Sequence, residues 1–190
     1  MRYCKTVKNF MYLALVFSVT IANGEVLDAK ANGFTIRHQV QIAADRNSVY
    51  QATVDDIGSW WNGDHTVSGD AANLYLDARP QGCFCERLRE DAGLVHLSVS
   101  FVNPGVMLRL TGGLGPLGLM GVAGNMTWEF ESNDQGTLMT LQYAVGGYMA
   151  TGLDSLAVPV DGVLVEAATR LASFVETGSP SGETGSGDDL

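Results

Sequence analysis

Phe34, Ile36, His38, Val40 and Ile42 alternate with Thr35, Arg37, Gln39 and Gln41, the two-residue period of a strand with one buried face. Capping residues in Ala44-Asp45-Arg46-Asn47 follow, and Val49, Tyr50, Val54 and Ile57 then recur at helical spacing. A helix of about three turns is therefore predicted to end near Gly58. The helical pattern breaks at Trp60-Trp61-Asn62-Gly63-Asp64-His65. Beyond it, short alternating runs at 73–78, 83–89, 94–102, 106–110, 126–131 and 138–145 are separated by Gly, Pro and Asn, the pattern of an antiparallel meander with hairpin loops. One interruption is long: residues 112–121 are apolar yet full of glycine. From 158 to 175, Val163, Leu164, Ala167, Ala168, Leu171 and Phe174 fall three and four apart, predicting a long amphipathic C-terminal helix. Helices flanking a meander make an α+β domain whose sheet needs the last helix to cover its apolar face.

Composition changes this picture at the two ends. Arg2, Lys5 and Lys8 precede an apolar run from Phe10 to Ala22, too short to span a bilayer and followed by small residues, so residues 1–22 are expected to be a secretory signal peptide. Residues 177–190 are mostly Gly, Ser and acid, and are expected to be a disordered tail. The segment 33–176 has the size and apolar content of one domain. Loss of the signal leaves eight basic against twenty-one acidic residues, a formal charge of −13 compared with −10 for the whole chain. Such acidity argues against a nucleic-acid partner and against anionic membrane surfaces, and no stable membrane insertion is expected after cleavage. The expected location is periplasmic or secreted. Cys83 and Cys85 would have Cα atoms roughly 6.5 to 7 Å apart on an extended strand, the upper edge of disulfide geometry. Free thiols are favoured on that ground, although an oxidising compartment permits a bridge.

Several stretches carry a family resemblance: 42–50 at the start of the first helix, 54–61 at its end, Gly82-Cys83-Phe84-Cys85-Glu86, Leu108-Arg109-Leu110, Gly136-Thr137-Leu138-Met139-Thr140 and Val160-Asp161-Gly162-Val163-Leu164. Together with the order of elements they resemble the START-related SRPBCC superfamily, which includes birch-pollen-allergen-like, polyketide-cyclase and Hsp90-ATPase-activator-like proteins. The resemblance covers 33–176. It implies a helix-grip fold: a curved antiparallel sheet of about seven strands wrapped on the long C-terminal helix, with short helices after the first strand. It further implies an apolar cavity between sheet and helix that holds a hydrophobic molecule in many members. Fold wording of this kind implies architecture more firmly than activity.

Candidate ligand-binding residues follow from that architecture. Trp60 and Trp61 are placed at a rim of the cavity with His65 as a gate. Trp128 and Tyr143, on the inward faces of their strands, would orient a polar head or serve as ordinary core aromatics. Arg109 would either pair with Glu86 across the sheet or anchor an anionic head group. Alternation puts His96 with Ser98 and Ser100 on the solvent side, opposite Val95, Leu97, Val99 and Phe101. No catalytic motif is present, and Cys-x-Cys with scattered histidines lacks the paired spacing of a zinc site. Residues 112–121 lack the Lys-Ser/Thr ending of a phosphate loop and read better as a flap over the pocket mouth. No cofactor or metal is expected. The reading is an exported protein that binds a small hydrophobic molecule without transforming it. The alternatives are a cyclase or aromatase using His65, Tyr143 or Arg109 as general acid, or a protein-interaction module.

Overall fold

The alternating segment that opens the sequence pattern forms β2 (Gly33–Ile42), and its inward side chains, from Phe34 to Ile42, are buried. The computed structural model describes residues 23–181. The signal-peptide segment lies outside them, as does the tail beyond 181. Before β2 runs β1 (Asn23–Lys30), and after it come α1 (Arg46–Asp55), α2 (Ile57–Trp60), β3 (Leu74–Leu76), β4 (Cys83–Arg89), β5 (Ala92–Asn103), β6 (Met107–Gly112), β7 (Gly121–Asn133), β8 (Gly136–Tyr148) and α3 (Asp154–Thr177). Among the described residues eight strands form one sheet in the order β1-β2-β8-β7-β6-β5-β4-β3, every pair antiparallel. The eighth strand corrects the expected seven. β1 escapes a search for alternation because its register on β2 shifts between Val26 and Asp28, breaking the two-residue period.

α1 begins where Asp45 caps it, its carboxylate accepting from the backbone N–H of Asn47 (3.0 Å) and Ser48 (3.2 Å). α1 and α2 carry Val49, Tyr50, Ile57 and Trp60 into the core. Trp60 is fully buried and donates its indole N–H to Ala52 O at 2.9 Å, so its one polar atom is satisfied. Removing such a ring from water buries roughly 200 Å² and contributes about 5 kcal/mol.

α3 lies across β2, with Leu164, Ala167, Ala168, Leu171 and Ala172 buried beneath it. It runs longer than its sequence pattern, from Asp154 to Thr177, and stops at Gly178, whose left-handed backbone (φ 78°) caps it. β7 and β8 also extend further than alternation suggested, through the glycine-containing stretches at 121–125 and 146–148. Gly124 opposite Val145 shows why: a Cβ there would meet the Tyr143 ring and Ala144 O at 2.6 Å, so the strand needs glycine to pass.

Candidate functional site

Between the far end of the sheet and the first turns of α3 lies a cavity of about 350 Å³. Five segments wall it. The turn after the tryptophans contributes Trp61, Asp64, His65, Thr66 and Val67; β4 and β5 contribute Phe84 and His96. The glycine-rich segment contributes Leu114 to Leu117 and Met120, and α3 contributes Leu156, Pro159, Val160 and Val163. Most of this surface is apolar. The volume is at the small end of the roughly 300–1,000 Å³ range of ligand pockets.

The glycine-rich segment folds as a short 3₁₀ turn, Gly115–Leu119, which places Pro116 and Leu117 over the cavity, where the sequence put a flap. Tyr143 holds its near end: the buried phenol donates to Gly112 O at 2.9 Å and accepts from Leu114 N–H at 3.0 Å. Burial pushes this hydroxyl above its ordinary value, against the opposing pull of the Leu114 N–H, so it remains a donor.

The facing wall, the turn from Trp61 to Ser68, is fastened by two carboxylates. Glu166 on α3 accepts from Asn62 Nδ2 at 2.6 Å and lies 2.9 Å from His65 Nε2. Glu86 on β4, only 1% exposed, accepts from the backbone N–H of Val67 at 3.0 Å and from that of Ser68. Its Oε2 also lies 2.9 Å from Nε2 of His96. Burial opposes ionisation of both carboxyls, but the hydrogen bonds outweigh it. They hold Glu86 and Glu166 below the ordinary carboxylate value. Arg170 on α3 adds a bond from Nε to Trp60 O at 2.7 Å.

Of the residues expected to touch a ligand, Trp61 and His65 line the cavity and four do not. Trp60 and Trp128 stack edge to face in the core, ring centroids 6.1 Å apart, and Tyr143 is spent on the flap. Arg109 is corrected outright. It sits exposed on the outer face with its guanidinium over the Phe101 ring at 5.5 Å, and β5 separates its strand from that of Glu86.

His96 is corrected in the opposite direction: expected in solvent, it is 5% exposed and part of the cavity wall. The cause is a bulge. Phe84 pairs with Leu97 but Cys85 pairs with Val95, so His96 is the extra residue of β5, and His96 and Leu97 both turn inward while Val95 turns out. A second shift between Val99 and Phe101 turns Phe101 outward as well. Strict alternation cannot reveal either. At the same irregularity β4 is pinched, the Cα atoms of Cys83 and Cys85 come to 5.4 Å, and the two are joined by a disulfide, where extended geometry had favoured free thiols. The sequence offers little sign that Glu86 is buried beyond the apolar Phe84 and Cys85 that precede it.

Among the described residues no cluster of three or more metal-ligating side chains occurs, and no helix is long and apolar enough to cross a membrane.

No protein-family model and no curated protein matches the sequence. Solved structures do resemble it. An uncharacterised protein of Rhizobium leguminosarum matches at 17% identity with a TM-score of 0.54, over 84% of this chain and 99% of that one. DynU16, from the dynemicin biosynthetic locus, matches at 19% with a TM-score of 0.53, over 77% of this chain and 49% of its own length. The Aha1 dimer of Colwellia psychrerythraea matches at 14% with a TM-score of 0.51, over 76% and 97%. At such identities the likeness is one of fold, and that fold is broadly helix-grip.

Proposed function

We propose that this chain is an exported protein of the SRPBCC kind that holds a small hydrophobic molecule in the cavity between the sheet, the 3₁₀ flap and α3. The cavity carries the reading: about 350 Å³ of mostly apolar wall closed by the flap on one side and the carboxylate-fastened turn on the other. Water in such a space gains few hydrogen bonds, so an apolar occupant displaces it favourably. Export is supported by the composition of residues 1–22 and accords with a disulfide at Cys83 and Cys85.

A cyclase reading is narrowed by the geometry, since Tyr143 is committed to the flap and Arg109 is outside. His65 and His96, each against a carboxylate, and Asp64 are the titratable side chains that line the cavity and could move a proton there.

The test is to extract protein purified from its own host with organic solvent, identify small molecules by mass spectrometry, and titrate the emptied protein with a neutral fluorescent probe, N-phenyl-1-naphthylamine. A stoichiometric apolar compound and saturable, competed probe binding are expected. An empty extract with no probe binding overturns the proposal.

A further inference from the structure

The disulfide between Cys83 and Cys85 spans the part of β4 that carries the cavity wall. Phe84, between the two cysteines, lines the cavity. Glu86 follows at once, buried, and holds the Trp61–Ser68 turn through the backbone N–H of Val67 at 3.0 Å and that of Ser68. The β5 irregularity that turns His96 into the wall lies opposite the same residues, between the Phe84–Leu97 and Cys85–Val95 pairs.

The bridge shortens this strand. Its Cα atoms are 5.4 Å apart, whereas an extended strand spaces alternate Cα atoms by about 6.7 Å, so β4 relaxes by roughly 1 Å once the bridge is gone. A hydrogen bond near 3 Å does not survive a displacement of that size. Lengthening β4 moves Glu86 relative to Phe84, and the contacts of Glu86 with Val67 N–H and His96 Nε2 are the ones that stretch. The change stays local, because a bridge closing so short a loop restricts the unfolded chain little and its loss costs the fold little. Cys83 is partly exposed and Cys85 is buried, so a thiol or disulfide reagent meets the pair at Cys83.

Resting on the cavity reading above, we propose that oxidation of Cys83 and Cys85 locks the cavity. The thiol form has a loose Trp61–Ser68 wall and holds an apolar ligand weakly; the disulfide form holds it tightly. The oxidant is a disulfide-bearing thiol carrier. The Cys83 thiolate attacks the carrier's disulfide and expels one thiolate, then the Cys85 thiolate attacks Cys83 Sγ in the mixed disulfide and expels the second. Two electrons and two protons pass from the cysteine pair to the carrier, which leaves as two thiols. On the proposed export route such an oxidant is met outside the cytoplasm, so the ligand is taken up there.

The test compares oxidised protein, the same protein reduced with dithiothreitol, and a Cys83→Ser, Cys85→Ser double variant. In the reduced protein the amides of Val67 and Ser68 exchange roughly tenfold faster than in the oxidised one, the worth of one hydrogen bond, while those of β2 keep their protection. N-phenyl-1-naphthylamine binds about tenfold more weakly, and oxidised glutathione restores both properties. The double variant behaves as the reduced protein with or without dithiothreitol; should it fail to fold, the two wild-type states decide alone. Equal exchange at Val67 and Ser68 in both states, equal loss of protection in β2, or unchanged probe affinity overturns the lock. Free thiols at Cys83 and Cys85 in protein purified from its host without reductant do the same. An exchange difference with no probe binding in either state overturns the cavity reading while supporting the hold of the bridge on the turn.

Discussion

His38 shows at the scale of one residue how burial converts a common side chain into a pH-sensitive one. It is fully buried on the inner face of β2, 3.0 Å from Asp161 Oδ1 on α3. Desolvation pushes its pKa below the ordinary 6.5, and the attraction of Asp161 only partly offsets this. An imidazole lowered in the folded state binds fewer protons there than when unfolded, so its contribution to stability falls as pH drops from 6.5 toward the folded pKa. Urea unfolding at pH 7 and pH 5 is expected to show wild type losing stability on acidification, and His38→Leu losing less. The window is separate from that of Glu86 and Glu166, whose lowered pKa values place their loss below the ordinary carboxylate value of 4.5. That His38 points inward is legible from alternation on β2. Its partner Asp161, one hundred and more residues away in sequence, is not, because only the packing of α3 on β2 brings them together.

The strands and the flap form the next scale, where regular periodicity is reliable and its interruptions carry the site. β2, β7 and β8 keep a two-residue period, and Trp128, Phe130, Met139 and Leu141 point inward as their sequence predicts. β5 does not, since two register shifts reverse the faces of Val95 and Phe101 and deliver His96 to the cavity. A bulge is a choice between neighbouring strands, and neither strand encodes it alone. The flap is likewise set by a contact across elements, from Tyr143 on β8 to Gly112 O and Leu114 N. Tyr143→Phe leaves both backbone groups without this partner and is expected to cost about 1–2 kcal/mol. Hydrogen exchange of Leu114 to Met120 should quicken in that variant more than exchange of β2. Equal protection of the flap in both proteins would show that its hold lies elsewhere.

For the whole molecule the decisive quantity is empty volume near one end of α3. Val163 lines it from the helix and is only partly buried, so Val163→Trp fills the cavity without crowding the sheet side of α3, where Leu164, Ala167 and Ala168 pack. The variant is expected to lose probe binding while unfolding within about 1 kcal/mol of wild type. Added ligand at a hundred times its Kd should stabilise wild type by about 2.7 kcal/mol and leave the variant unmoved, read by thermal shift. By itself the sequence determined what depends on neighbours along the chain: the α+β class, most strands, the helices, the acid balance and a glycine-rich flap after β6. Trp61 and His65 were placed near a pocket because they follow directly on the first helices. Tertiary structure decided the added edge strand, the disulfide and the buried Glu86 and His96. Each of those depends on register between separate segments, and a one-residue shift in register exchanges the inside of a sheet for its outside, whereas Arg109 points outward by plain alternation between the buried Leu108 and Leu110.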